Sequence, residues 1–409
     1  METGARVVTL DILRGVAVMG ILAMNIIGFS MPEPAYSNPA AYGGSTGLDL
    51  AAWTFNFIFV DGRMRGLFSF LFGASLLLVI DRAEAKGEDP GAVHFRRMAW
   101  LLLFGLLHFW LIWWGDILAH YAMIGLVAFA FRHQPAGKLA LYGIGFIAIE
   151  TALMALTGAR FIEAARDAAS SETGSQAILR WEAMRSQLGP LPPAELDADL
   201  ALHRGPYLPL VIDRLHNSTS LVNSLTFVGP ETLGYMLMGM AGLKSGFLTG
   251  AWEAARYRRW ATIGFAVATP SFGILAVLII RSGFDPALVA ALSLGATTPL
   301  RPIMIVALAA LIILISGHGR AWSGLIAAVG RAAFTNYLAT SMVMTTFFYG
   351  YGFGLYGRMG RAEVYLPVLA MWLLILVWSK LWLDHFRYGP LEWLWRSLAR
   401  GAFQPMRRA

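Results

Sequence analysis

GLLHFWLIWWGDILAHYAMIGL, residues 105 to 126, sets four polar side chains, His108, Asp116, His120 and Tyr121, inside or at the rim of apolar segments of membrane length. An ionisable group at the centre of a membrane helix costs roughly 2.5–3.5 kcal/mol on insertion scales, so such groups face a bundle interior or a wet cavity and mark working sites. The stretch therefore reads as part of an all-α, polytopic integral membrane bundle with chemistry buried inside it.

Composition points the same way. Hydrophobic residues make up 57% of the 409 and aromatic residues 13%, and the mean hydropathy is +0.58. The apolar residues come in runs long enough to cross a bilayer, and no soluble domain of ordinary size remains once they are subtracted. The absence of cysteine excludes disulfides, thiolate catalysis and thiolate metal ligation. The net charge of +7 is not a nucleic-acid signal, because its cations sit in short loops between apolar spans, which is the topogenic pattern.

Ten spans are predicted: Val7 to Phe29, Ala51 to Ile80 (broken by Asp61-Gly-Arg-Met-Arg65), Met98 to Trp114, Ile117 to Phe131, Leu139 to Leu156, Val222 to Leu243, Trp260 to Ile280, Ile303 to Ile315, Leu325 to Phe348 and Val364 to Leu383. The first run is too long for a cleavable signal and lacks a small-residue cleavage pattern. Arg82, Lys86, Arg96 and Arg97 share one loop, Arg132 and Lys138 a second, Lys244, Arg256, Arg258 and Arg259 a third, and Arg387, Arg396, Arg400, Arg407 and Arg408 the tail. Ser30 to Leu50 has neither Lys nor Arg, so both termini are expected in the cytoplasm. The whole of 1–409 reads as one transmembrane domain. It has an N-terminal half 1–157, an external, partly helical loop 158–205, a C-terminal half 206–385 and a tail 386–409.

Four phrases carry a family resemblance: LDILRGVAVMGILAMNIIGF (10–29), RRMAWLLLFGLLHFWLIWWGDILAHYAMIGL (96–126), VGRAAFTNYLATS (329–341) with YGYGFGLYG (349–357), and FRYGPLEWLWRSL (386–398). In order and spacing they resemble the YeiB-like membrane proteins, whose C-terminal half is the domain of unknown function 418. More distantly the chain is similar to transmembrane acyltransferases such as heparan-alpha-glucosaminide N-acetyltransferase, which pass an acetyl group from cytosolic acetyl-CoA to an acceptor on the other face. The matching positions of the first helix are Asp11, Arg14, Gly15 and Asn25. That enzyme's proposed catalytic His follows the Asn, where this chain has Ala35 and Tyr36 and no His before His94, so that role does not carry over by position.

His108 and Asn25 fall in the outer halves of two outward-running helices and are expected at one depth. A neutral imidazole there can take a proton from an acceptor hydroxyl or amine, and an Asn amide can donate to an acyl-transfer oxyanion; the alternative is a structural His bonded to a neighbouring carbonyl. Asp116 lies eight residues beyond His108, about 12 Å along a straight helix. It can orient His108 only if the helix breaks near Trp114-Gly115, and otherwise caps the next helix. Tyr121 can hydrogen-bond the acceptor or serve as an interfacial aromatic. Asp11 and Arg14 share a helical face. Arg14, with Arg63 and Arg65, can receive the phosphates of a CoA-type donor, or Asp11 and Arg14 can lock two helices as an ion pair. Glu231, after Pro230, is a candidate base, proton carrier or partner of Arg331. Asn336 and Tyr337 stand as acceptor contacts or as buried polar packing.

No metal site is expected, because His94, His133, His203, His216, His318 and His385 are scattered without ligand spacing. The function expected from this reading is transfer of an acyl group, acetyl foremost, from cytosolic acyl-CoA to a small-molecule or envelope-glycan acceptor outside the inner membrane of a bacterial cell. Acyl-CoA is a co-substrate, and no cofactor is bound tightly. The partners are the bilayer, acyl-CoA, the acceptor and, as an assembly, a second copy in a homodimer; nucleic acid is not among them. The rival is a proton-coupled transporter or exporter in which His108, Asp116 and Glu231 carry protons.

Overall fold

The computed structural model describes residues 8–316 and 321–408; Val7 and His318 lie outside them. It is all-α among the described residues, apart from one isolated bridge between Phe386 and Arg407. Helices α1 (Val8–Ser30), α2 (Gly47–Phe55), α3 (Arg63–Glu84), α4 (Pro90–Leu111), α5 (Leu118–Ala128) and α6 (Ala136–Ala169) form the first part of the chain. The connection holds α7 (Gln176–Arg185), α8 (Pro193–His203) and α9 (Tyr207–His216). The rest comprises α10 (Thr219–Lys244), α11 (Ala254–Arg281), α12 (Pro286–Val289), α13 (Arg301–Ile315), α14 (Ala321–Arg331), α15 (Ala333–Phe348), α16 (Tyr365–His385) and α17 (Pro390–Arg400).

Five helical stretches among the described residues are long and apolar enough to cross a membrane, and six if the α12–α13 pair, bent by 56°, is one span. The other expected spans fall on helices that are shorter, broken or richer in polar residues. Outward faces of α6, α11 and α16 are apolar: Leu141 is 65% exposed, Ile274 62% and Leu373 66%. Such faces suit hydrocarbon rather than water.

Two expected boundaries are corrected. Leu325 to Phe348 is not one helix: the chain leaves helical geometry at Ala332, separating α14 from α15. The break is tolerated because Glu392 of α17 accepts from the Phe334 and Thr335 amides at 2.6 and 3.1 Å, satisfying donors that a helix start leaves open. The region 158–205 does not begin as a loop, because α6 continues unbroken to Ala169.

The predicted break in the second span occurs at Asp61-Gly62, where Gly62 takes φ +71° after a π-helical turn over Asn56–Val60. A second π-helical turn, Ala290–Ala296, precedes the break before α13. The two halves form one packed unit. Helix α1 lies along α14, and α10 packs against both α3 and α6. Small residues make the close approach possible: a Cβ on Gly239 of α10 would fall 1.7 Å from the Phe70 carbonyl oxygen of α3, the mode by which membrane helices bring backbones together.

Candidate active site

Helix α4 starts with Asp89 accepting from the Gly91 amide at 2.8 Å and Pro90 in the first turn, where its missing N–H costs nothing. It stops at Leu111, earlier than a continuous span to Trp114 requires. Trp113 leaves the helical path, stacks on Phe29 with centroids 3.9 Å apart and donates its indole N–H to the Gly28 carbonyl at 3.3 Å. The chain then doubles back into α5. A Cβ on Gly105 would sit 2.2 Å from the Ala119 nitrogen, so glycine at 105 lets α4 and α5 lie against each other.

This tight hairpin carries Asp116 to His108. Oδ1 of Asp116 lies 2.8 Å from Nδ1 of His108, with both side chains fully buried. The 12 Å spacing of a straight helix is therefore corrected: the break falls at Leu111, ahead of Trp114-Gly115. Capping and orienting are not alternatives either, because Oδ2 of the same carboxylate accepts from the Ala119 amide at 2.7 Å. A carboxylate on Nδ1 fixes the proton there and leaves Nε2 as an acceptor. Nε2 of His108 is buried with no partner among the described residues.

A cavity of about 430 Å³, within the ~300–1,000 Å³ of small-molecule sites, is lined by Tyr337 next to this pair, though by neither His108 nor Asp116 itself. One part of its lining, the mouth, carries Arg14, Arg82, Arg97, Arg331, Arg387 and Arg396 beside Asp11 and Glu392, and its more apolar part includes Leu118, Tyr121 and Tyr337. The Tyr337 ring stands 5.3 Å from the His108 ring, and its hydroxyl donates to the Gly115 carbonyl at a long 3.4 Å. A basic annex of about 240 Å³ adjoins the mouth, lined by Lys86, Arg400 and the shared Arg82, Arg97 and Arg396.

The other expected residues divide. Asp11 and Arg14 line the cavity and pair with each other at 3.1 Å, while Arg14 also donates to Ser75 Oγ at 2.7 Å and ties α1 to α3. Arg331 lines the mouth and donates to the Arg387 carbonyl at 3.2 Å. Tyr121 lines the wall, with its hydroxyl 2.7 Å from Ser69 Oγ. Asn25 is half-buried on α1, and no hydrogen bond joins it to His108 or to any other described side chain. Asn336 is fully engaged away from the cavity, donating to Val329 O and Ser379 Oγ and accepting from the Trp378 indole.

Arg63 and Arg65 do not line the donor cavity. Arg63 is 1% exposed, gives its protons to the Asp61 and Phe57 carbonyls and stacks 3.7 Å over Phe272. Arg65 pairs with Glu231, which also receives Arg301 at 3.2 Å and the Tyr235 hydroxyl at 2.9 Å. The partners of Glu231 are thus Arg65 and Arg301, correcting the expected Arg331.

Residues the sequence reading did not single out complete the mouth. Arg82, Arg97, Tyr388, Trp395 and Arg396 all line it, and α17 folds back over α4, its Trp395 indole donating to the Arg97 carbonyl at 2.9 Å. The recurring phrase FRYGPLEWLWRSL was the available signal. Burial against α15 raises the Glu392 carboxyl above its ordinary value, opposed by its hydrogen bonds from the Thr335 side chain and the Thr335 and Phe334 amides. No group of three or more His, Asp or Glu is placed to hold a metal among the described residues.

Fold and site together define a class: an all-α protein with several apolar helices of membrane length, in which a basic-mouthed cavity ends beside a buried His–Asp pair. The chain belongs to the YeiB-like family. It is 31% identical to Escherichia coli K12 YeiB, covering 98% of each chain, and 30% identical to Bacillus subtilis 168 YxaH over 99% of this chain and 96% of that one. A shorter stretch, 31% of the chain, is 37% identical to a 39.9 kDa protein from the amylase 3′ region of Bacillus acidopullulyticus. Residues 243–402 match the family described as a protein of unknown function, DUF418. No solved structure matches significantly.

Proposed function

We propose that the protein is a membrane-embedded acyltransferase that takes an acyl group, acetyl foremost, from cytosolic acyl-CoA and passes it to a hydroxyl or amine of an acceptor at the outer side of a bacterial inner membrane. The supporting observation is one cavity that couples a mouth of six arginines to an apolar passage ending beside His108. Guanidinium groups suit the phosphates of a CoA donor, and the narrow passage suits its uncharged pantetheine arm. On this reading the mouth and both termini face the cytoplasm and ten helical segments cross the bilayer, counting the shorter and broken ones. Reporter fusions at Lys86 and Ser175 are expected to report opposite sides; the same side for both would sink this topology.

The chemistry follows from the pair. Nε2 of His108 takes the proton of the acceptor hydroxyl or amine as its oxygen or nitrogen attacks the thioester carbonyl. Asp116 holds the Nδ1 proton and stabilises the imidazolium. The tetrahedral oxyanion takes a hydrogen bond from the Tyr337 hydroxyl, whose present bond to Gly115 is long. As the C–S bond breaks, the imidazolium returns the proton to the departing CoA thiolate, so no net proton is consumed.

The test is donor binding. Purified protein titrated with acetyl-CoA by calorimetry should bind it, and Arg14→Gln or Arg82→Gln should weaken binding roughly tenfold, about 1.4 kcal/mol. The loss should shrink as salt is raised, because exposed charges are screened within about 8–10 Å at ordinary ionic strength. No affinity in the wild type, in detergent and nanodiscs alike, would overturn the reading.

A second reading, proton-coupled transport, draws on one observation: two interrupted helices meet at Glu231, each with a π-helical turn before the break and an Arg just after it. Paired broken helices mark the sites of many transporters. Against it, both oxygens of Glu231 are already held by Arg65, Arg301 and Tyr235, which leaves the carboxylate locked rather than poised to exchange protons.

A further inference from the structure

Helix α9 turns Leu210, Val211 and Arg214 inward. Leucine and valine belong on such a face; arginine does not. Arg214 is 3% exposed and makes no ion pair among the described residues. Its single side-chain hydrogen bond runs from Nη1 to the Trp110 carbonyl at 3.3 Å, and Nη2 is buried without a partner. A buried guanidinium is costly unless paired with an anion or fully hydrogen-bonded, so its retention on an apolar face calls for an anionic partner.

A second orphan stands nearby. Tyr349, which follows α15, is fully buried, its ring caged by His203 at 5.2 Å and Tyr356 at 5.9 Å, and its hydroxyl has no partner among the described residues. The helix of Arg214 packs on the same loop, its Tyr207 ring standing edge-on to Tyr351 at 5.3 Å and Tyr351 in turn 6.0 Å from Tyr349; burial raises the Tyr349 hydroxyl's pKa above its ordinary value, opposed first by Arg214. Trp113 packs in the same apolar cluster as Leu210 and Tyr349, while its ring also stands 6.5 Å from the His108 ring. Arg214 also reaches the helix of His108 directly, since the carbonyl it bonds belongs to Trp110, two residues beyond His108 on α4, and neither orphan lines the arginine-bearing cavity.

We propose that Arg214 and Tyr349 anchor an oxyanion, the carboxylate or phosphate of the acceptor, and so present the acceptor's hydroxyl or amine toward His108. The assignment rests on the acyl-transfer reading and narrows the acceptor to an anionic molecule. A guanidinium and a phenol supply charge-assisted donors that an oxyanion accepts directly.

The test uses the full-length protein in maltoside detergent, as wild type, Arg214→Met, which keeps much of the buried stem volume, and Tyr349→Phe, which removes one oxygen. Thermal unfolding is followed against inorganic phosphate, acetate and phosphatidylglycerol, with sodium chloride at matched ionic strength as the reference. Ligands that bind only the folded state raise Tm progressively with the logarithm of their concentration above Kd. The expected result is a rise beyond the salt reference in the wild type for at least one probe, with the concentration that gives an equal rise shifted upward at least about tenfold in both variants. A response to phosphate or acetate identifies a soluble acceptor, and a response to phosphatidylglycerol alone a lipid headgroup. No response beyond salt in the wild type, or an unchanged concentration dependence in Tyr349→Phe, overturns the anchor; the latter variant decides the matter if Arg214→Met does not fold. Acetyl-CoA binding is measured on the same preparations. A wild type that binds acetyl-CoA but no oxyanion refutes the anchor alone, and one that binds an oxyanion but no acetyl-CoA refutes the donor reading alone.

Discussion

His108→Ala is expected to lower acyl transfer by about 10²–10⁴-fold, the contribution of a positioned general base, while acetyl-CoA binding stays near the wild-type value because the imidazole lies behind Tyr337 rather than at the arginine mouth. The measurement is the rate at which label passes from acetyl-CoA into envelope material in membranes carrying each variant. Asp116→Asn is the sharper companion. Asparagine retains an oxygen for the Ala119 amide and so preserves the helix start, but its amide can donate to Nδ1 and so put the proton on Nε2, the wrong tautomer for a base. Asp116→Asn should therefore lose most of the activity with little loss of stability, whereas Asp116→Ala should lose activity and also about 1 kcal/mol of capping. A structural histidine gives the opposite pattern, in which His108→Ala lowers Tm and the surviving protein turns over at full rate.

Glu231→Ala is expected to cost about 3–5 kcal/mol of stability, because it leaves Arg65 and Arg301 buried together without their carboxylate. The loss is read as a fall in Tm and in the yield of folded protein. Replacing Glu231, Arg65 and Arg301 together with apolar residues of similar size should be milder than Glu231→Ala alone, because no uncompensated charge then remains. Acyl transfer per folded molecule should survive the triple replacement, since none of the three lines the cavity. If donor binding and transfer both vanish with the fold intact, Glu231 belongs to the working site and the transport reading gains.

The sequence reading reaches the helical class, the break within Asp61-Gly-Arg-Met-Arg65 and the cluster around His108, because each is written locally: apolar run length, a charged interruption, polar residues within apolar phrases. It leaves open what depends on chain reversal. Asp116 and His108 meet only because Trp113 abandons the helix for Phe29 and Gly105 admits Ala119, two long-range facts invisible in a helical-wheel spacing. Arg63 and Arg65 stand two and four residues after Asp61, and nothing local distinguishes a donor-binding arginine from one aimed at Glu231, which is supplied by a helix 166 residues further on. The mouth was half legible. Arg14 and Arg331 were named from phrases within the bundle, while Arg387 and Arg396 were assigned only to the tail, because an amphipathic helix following the last span gives no sign of folding back until Glu392 is seen capping α15.

The central claim is that acyl-CoA enters from the arginine mouth and brings its thioester to His108. Single-particle reconstruction of the wild-type protein with saturating acetyl-CoA tests it most directly. The account predicts density running from Arg14, Arg82 and Arg396 along the cavity, with the thioester end beside Tyr337 and within reach of His108 Nε2. An empty cavity under saturating donor, or CoA bound elsewhere on the molecule, would contradict it.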